Sequence, residues 1–409
     1  MHEARVRARA RMIPRAFVEE LTRSGGDDAA AQAAVAGLVV LRTVDRWVAE
    51  GCRSGFDVAG AMATVQSVDP GQSTPALLER VLDAIAGGGP DSASTVADWL
   101  LKYGKALEMD AKWHLALAVY DAIVDHAGAA SPETAVAHAL TREGYCLRVL
   151  GRFEDSRRSH LRARQIAERT GDLTNVMLAD LGRARTDAAQ GFSAKADAEF
   201  RRVVQCAEQA ALPRLQSLAL HECAVMAGNR GDLADAARLA YAALQLCESP
   251  SDRDRILTDI GENFRRLGMR DAARDAFLIL SCTARDQYCC WMSLILLMRI
   301  AADDGAGKSF RKYRRMLDSS PLPLPLQIEL ALQVGYGLRA LGMEGPSQTA
   351  FRRAASLAKT HRFTRELQVI EHAIAGRSDC VEEPATVTPS DLETIVGGLR
   401  AMREAAVAG

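Results

Sequence analysis

Apolar and polar residues succeed one another along most of the chain with the three-to-four-residue period of helices that bury one face. Between residues 96 and 375 one phrase recurs: an amphipathic run, a glycine, a second amphipathic run. The glycines are Gly151, Gly191, Gly231, Gly268, Gly305 and Gly342, spaced 40, 40, 37, 37 and 37 residues apart. A glycine there lets the backbone turn sharply between two helices. Seven residues before each stand Gly144, Ala184, Ala224, Gly261, Met298 and Gly335. Five after stand Ser156, Ala196, Ala236, Ala273, Phe310 and Ser347, and nine after His160, Phe200, Ala240, Phe277, Arg314 and Phe351. Helices that cross closely need small residues where their backbones meet. A large side chain at the next turn fills the space beside that contact. Ala111, with Gly104, Ala116 and Tyr120 at the same offsets, adds one unit upstream. Seven helical hairpins are therefore predicted.

The ends depart from this frame. Residues 1–90 are predicted to form about four helices, one of them capped by Thr74 with Pro75 at its first position. Residues 87–92, Gly-Gly-Gly-Pro-Asp-Ser, then break the chain. This N-terminal segment serves as a cap or as an effector region, since an end repeat otherwise exposes its core face. Residues 96–375 form the array, and 376–409 an acidic linker and a C-terminal helix. Ser390 and Glu393 make a capping-box pattern, and Leu392, Ile395, Val396, Leu399 and Met402 share one face. A C-terminal cap is expected; a tethered ligand in the array's own groove is the alternative.

Composition narrows the class. Of 409 residues, 48% are hydrophobic and 25% charged, which excludes a disordered chain. Aromatics make up only 5% and alanine is abundant, so an all-β sandwich is disfavoured. Lys+Arg is 51 and Asp+Glu 52, a net charge of −1 that argues against a whole-chain polyanion binder. No apolar stretch reaches about 18 residues, so no transmembrane helix is expected. Arg5, Arg7, Arg9, Arg11 and Arg15 form a basic leader with no apolar region behind it, unlike a secretory signal. Nine cysteines, with no CxxC pair, fall mostly at apolar helical positions and suit a reducing cytoplasm.

Candidate chemistry is sparse. Residues 304–309, Asp-Gly-Ala-Gly-Lys-Ser, look like the end of a phosphate loop, but Ala302 stands where its first glycine belongs and the flank is helical. They are expected to form a hairpin turn. No Gly-x-Ser-x-Gly and no HExxH occurs, so no metal and no cofactor is expected. His221 and Glu222 adjoin in sequence, but neighbours on a helix point apart. Nothing assembles a nucleophile, base and oxyanion site, and the expectation is a protein that is not an enzyme. Lys308, Arg311, Lys312, Arg314 and Arg315 lie opposite a stripe of Phe310, Tyr313, Met316 and Leu317, which predicts an amphipathic helix with a solvated basic face. Pro321, Pro323 and Pro325 make a stiff connector that ends this helix.

The small residue before the turn, the small residue after it and the aromatic beyond resemble the tetratricopeptide repeat, over about 280 of the 409 residues. The usual tryptophan of the first helix is absent, and the period exceeds the usual 34. Longer units look like bacterial regulatory repeats of the Rap/PlcR-like and MalT-like kinds. The resemblance implies an all-α, right-handed superhelical solenoid of about seven hairpins with extra N-terminal helices and a C-terminal helix. First helices of such hairpins line the concave side. In this frame that groove carries His138, Thr141, Tyr145, Arg148, Arg185, His221, Val225, Arg255, Thr258, Glu262, Arg265, Arg299, Tyr336 and Arg339, with Asn229 and Asp259 one step away. Arginine forks grip carboxylates and asparagine can hold a peptide backbone. The expected function is a non-catalytic scaffold or adaptor that binds a protein or peptide, acidic or ending in a free C-terminus. The alternatives are a peptide-sensing transcriptional or signalling regulator and a nucleic-acid binder through residues 308–315. No membrane partner is expected, and a homodimer stays open.

Overall fold

The structure, a computed structural model, describes residues 14–23, 28–69, 74–89, 91–110, 112–128, 131–360, 363–376 and 392–408. The leader arginines before Arg15, the turn residue Ala111, the acidic stretch 378–389 with Cys380, and Ser390 of the capping pattern lie outside the described residues. Among the described residues the chain is all-α, with twenty helices and no named strand.

Four helices come first: α1 (Arg15–Arg23), α2 (Asp28–Ala49), α3 (Ala59–Gln66) and α4 (Pro75–Gly87). Seven hairpins follow. They are α5 (Ser92–Met109) with α6 (Trp113–Asp125), α7 (Glu133–Val149) with α8 (Phe153–Thr170), and α9 (Leu173–Ala189) with α10 (Ser193–Gln209). Next come α11 (Pro213–Arg230) with α12 (Leu233–Gln245), and α13 (Pro250–Arg266) with α14 (Arg270–Thr283). The last are α15 (Gln287–Asp303) with α16 (Gly307–Asp318), and α17 (Leu324–Ala340) with α18 (Glu344–Thr360). Two single helices end the chain, α19 (Thr364–Ile374) and α20 (Glu393–Ala408).

The turns and close contacts follow the repeat frame. All six turn glycines have positive φ, between 70° and 88°. At Gly151 the peptide N–H donates to the carbonyl of Arg148 (3.0 Å), and the next, Arg152, donates to Leu147 (2.8 Å), the bond pair that closes a helix end. A β-carbon on Gly104 would stand 2.5 Å from the Tyr120 ring, on Gly261 2.5 Å from Phe277, and on Gly335 2.5 Å from Phe351. The residue seven before the turn therefore lies flat against the residue nine after it. Where the position five after is serine, its hydroxyl donates across the same contact: Ser156 to the Gly144 carbonyl and Ser347 to the Gly335 carbonyl, each at 2.8 Å.

The residues form two compact units that part between Glu199 and Phe200, inside α10. In the first, α1 to α4 share one core with the opening hairpin: Phe17, Val40, Trp47 and Leu82 pack in the cluster that holds Tyr103 and Tyr120. His126, at the end of α6, meets Asp45 of α2 at 3.0 Å. In the second, the clusters run from α11 to α15, α15 to α17 and α17 to α19. There α20 packs on α14, and its Leu392, Ile395 and Leu399 are buried.

Three local expectations are corrected. Thr74 makes no capping bond through its side chain, because its own backbone is already helical (φ −84°, ψ −34°) and the hydroxyl cannot reach forward. Met316 leaves the apolar stripe of α16 and is 44% exposed, while Phe310 and Leu317 alone of that stripe are fully buried. The C-terminal helix, expected as a cap of the array, packs instead on the fifth hairpin, α13 with α14. Its Arg403 donates to Asp275 of α14 at 2.7 Å, and Arg253 of α13 meets the Met402 sulfur at 3.3 Å.

Candidate functional site

In the first unit, the helix α7 carries His138, Thr141, Tyr145 and Arg148, and α9 carries Arg185. Tyr145 sits between two cations three residues away on either side, one helical turn each way. The guanidinium carbons of Arg142 and Arg148 stand 4.7 and 5.2 Å from its ring centre. Trp113 meets the same ring edge-on at 5.7 Å. His138 is exposed, and the Thr141 hydroxyl is turned back on the Ala137 carbonyl at 3.0 Å.

Behind this face lies His160. It is 2% exposed, in the slot between Gly144 and Gly182, and neither ring nitrogen has a hydrogen-bond partner among the described residues. Burial, then the positive fields of Arg148, Arg185, Arg183 and Arg142, push its pKa down to about 3, so the ring is neutral. Arg142 is committed elsewhere: its Nε donates to Glu108 at 2.9 Å, and Tyr120 donates to the same carboxylate at 2.8 Å. Burial works against the charge on Arg142, but the bonds to Glu108 outweigh it and its pKa is raised. The Cys146 thiol beside them is pushed up to about 12 by burial and by Glu108, so it is no nucleophile at neutral pH.

In the second unit most expected groove residues are engaged with one another. His221 is buried and meets Asp259 at 2.6 Å. Arg265 grips Glu262 with two bonds of 2.8 Å. Arg299 donates to Asp303 at 2.9 Å and to Gln333 at 3.2 Å, and stacks 4.7 Å above the Tyr336 ring, which is itself buried against Phe351. Arg339 donates to the Ala373 carbonyl at 3.0 Å. Arg255 lies exposed beside Asp252 at 3.6 Å, and Asn229 is exposed. The repeat frame assigns His221 and Tyr336 to the open groove, whereas both are buried in the structure.

The residues that the spacing did not single out are buried acids that bind hairpin to hairpin. Glu108 joins α5 to α6 and α7, and Asp187 holds Arg157 at 2.7 Å and Lys195 at 2.9 Å. Asp254 accepts the backbone N–H groups of Arg285 and Asp286 at 2.7 and 2.9 Å. An acid amid apolar positions of a helix was the available signal. Among the described residues no group of three or more His, Cys, Asp or Glu is placed to hold a metal ion, and no helix is long and apolar enough to cross a membrane.

The backbone can be set beside solved structures. The Rap conjugation gene regulator of the plasmid pLS20, in complex with the Phr* peptide, matches over 81% of this chain and 98% of its own, at 15% identity and a TM-score of 0.52. The apo form of the quorum sensor NprR from B. thuringiensis matches over 78% of this chain and 87% of its own, at 11% identity and a TM-score of 0.50. The chain has a tetratricopeptide-like fold. No protein-family model matches it, and no curated protein does.

Proposed function

We propose that the chain is a non-catalytic, peptide-binding adaptor of the regulatory kind, and that the face of α7 and α9 in its first unit holds the peptide. The observation that carries this is the Tyr145 ring of α7 with the guanidiniums of Arg142 and Arg148 at 4.7 and 5.2 Å from its centre, and Arg185 on the neighbouring helix α9. Guanidiniums near a buried, neutral imidazole favour an anionic group, and a flat ring beside them offers stacking to a peptide bond or side chain. The fold it shares with a regulator seen with a bound peptide supports the same reading. The peptide is acidic or ends in a free carboxylate, which exchanges for the present partners of Arg148 and Arg185. In this reading residues 1–90 cap the array, for their core is continuous with that of the first hairpin. The described cysteines are all free, which suits the cytoplasm, and a dimer is compatible with this reading.

An array of short peptides, half acidic and half neutral, with free or amidated C-termini, tests the proposal. Acidic peptides are expected to be retained, and Arg148→Ala with Arg185→Ala to weaken them by roughly tenfold or more. Unchanged retention would dismiss this face. A second reading rests on the exposed Lys308, Arg311, Lys312 and Arg315 of α16. Retention on heparin with a steep salt dependence would favour nucleic acid instead.

A further inference from the structure

The C-terminal helix shows what the crevice beside a hairpin can accept. It lies over α12, α13 and α14, with Gly398 against the Tyr241 ring, Met402 on Arg253, and Arg403 on Asp275. Its apolar side chains join a core that includes Ala240, Ile256, Ile260 and Ile279. Gly398 has no room for a β-carbon because the Tyr241 hydroxyl occupies that place. The helix and its seat are thus matched in shape as well as in charge.

Two repeats downstream, the same seat is empty. Counted from the turn glycines Gly268 and Gly342, Leu330, Val334 and Leu338 correspond to Ile256, Ile260 and Phe264, and Ala350 to Ala276. They floor a half-open crevice of about 500 Å³ between α16, α17 and α18. A third instance of the position, in the first unit, is a crevice of about 310 Å³ crowded with Glu143, Asp155, Arg152, Arg158 and Arg162. Leu117 and Leu147 also line it, but burying a helix there would strip water from its charged side chains, so it is a poor seat. Of the three, one is filled by a helix, one is closed by charge, and one is apolar and unfilled.

The rim of the empty crevice says what would fill it. Asp275, which receives Arg403, has Thr349 as its counterpart, and Ile279 and Ala240 have Arg353 and Arg314. Arg353 makes no ion pair among the described residues, and Arg314 reaches Asp318 only across 3.6 Å, with both side chains exposed. The rim of the empty crevice thus carries two arginines against one acid, Asp318, whereas the filled seat balances Arg253 with Asp275. We propose that the crevice between α16 and α18 is a docking site for an amphipathic helix of a partner protein, one whose apolar stripe is flanked by Asp or Glu. The partner helix lies in it as α20 lies over α14, with its acids on Arg314 and Arg353.

The probe is a synthetic helix with the apolar positions of α20 and glutamate at the places of Arg400 and Arg403, compared with the same helix carrying arginine there. Fluorescence anisotropy with the full-length protein is expected to show the glutamate helix bound roughly tenfold more tightly. Arg314→Glu with Arg353→Glu reverses that order. Ala350→Trp, which fills the floor, removes binding of both, with circular dichroism checking that each variant is folded. The proposal is overturned if the glutamate helix does not bind at about 0.1 mM, if binding ignores the charge reversal, or if cross-linking places the peptide over α14 in exchange for α20. It is equally overturned if the peptide-free protein dimerises in sedimentation and the charge reversal abolishes the dimer, since the occupant is then a second copy of the chain.

Discussion

At the scale of single residues, position 160 carries the sharpest conflict between shape and chemistry. The frame calls for a ring there, and Tyr120, Phe277 and Phe351 fill the equivalent places against glycine. His160 supplies the ring but brings two nitrogens into a site that satisfies neither. An unsatisfied buried polar group costs about 1–3 kcal/mol. Its folded pKa, about 3, lies below its ordinary 6.5. The unfolded chain therefore binds the extra proton first as pH falls. Stability is whole above about pH 6.5 and declines toward pH 3, by up to about 1.4 kcal/mol per pH unit from this group. His160→Phe is expected to raise stability by about 1–2 kcal/mol at pH 7 and by more at pH 5. Urea unfolding at the two pH values measures it, and an equal shift at both would contradict the linkage. The offset from Gly151 pointed to this residue, but its isolation could be seen only once Gly144 and Gly182 were found on its two sides.

At the scale of elements, α20 tests how a weak helix is held. Two adjacent glycines, Gly397 and Gly398, stand in its middle and each costs a helix about 1 kcal/mol relative to alanine. A β-carbon on Gly397 meets nothing within 4 Å, whereas one on Gly398 runs into Tyr241. The two neighbours should therefore answer the same substitution in opposite ways. Gly397→Ala is expected to stabilise α20 by about 0.5–1 kcal/mol, and Gly398→Ala to loosen it by about 1–3 kcal/mol. Amide hydrogen exchange over residues 393–406 reads both, and matching effects would mean that Tyr241 does not set the contact. The apolar face of α20 was legible from the spacing of Leu392, Ile395 and Leu399. Its seat was not, because Arg403 and Asp275 are 128 positions apart and nothing near either names the other. The missing Thr74 cap is the same lesson in small: the residue type suited the role, but the backbone angle withheld it.

At the scale of the whole molecule, two compact units with separate apolar clusters predict unfolding in more than one step, since repeat chains gain stability from neighbour contacts rather than from one shared core. Urea unfolding followed by hydrogen exchange should place the gain from His160→Phe in α7 to α9 and the loss from deleting residues 377–409 in α12 to α14. A single transition that both changes move as a block would refute separate steps. The hairpins, their turns and the close approach of Gly104, Gly261 and Gly335 to a ring were all legible beforehand, since each depends on residues within about one repeat of each other. The partners of the arginines were not. Whether Arg265 faces a ligand or grips Glu262, and whether His221 is open or buried against Asp259, turns on how side chains of successive helices meet. Periodicity tells which side of a helix is apolar; it does not tell which charge on the next helix stands opposite. Local chemistry therefore sufficed for the repeat, while the pairing of buried charges, the isolation of His160 and the seat of α20 came from contacts that form only when distant segments pack.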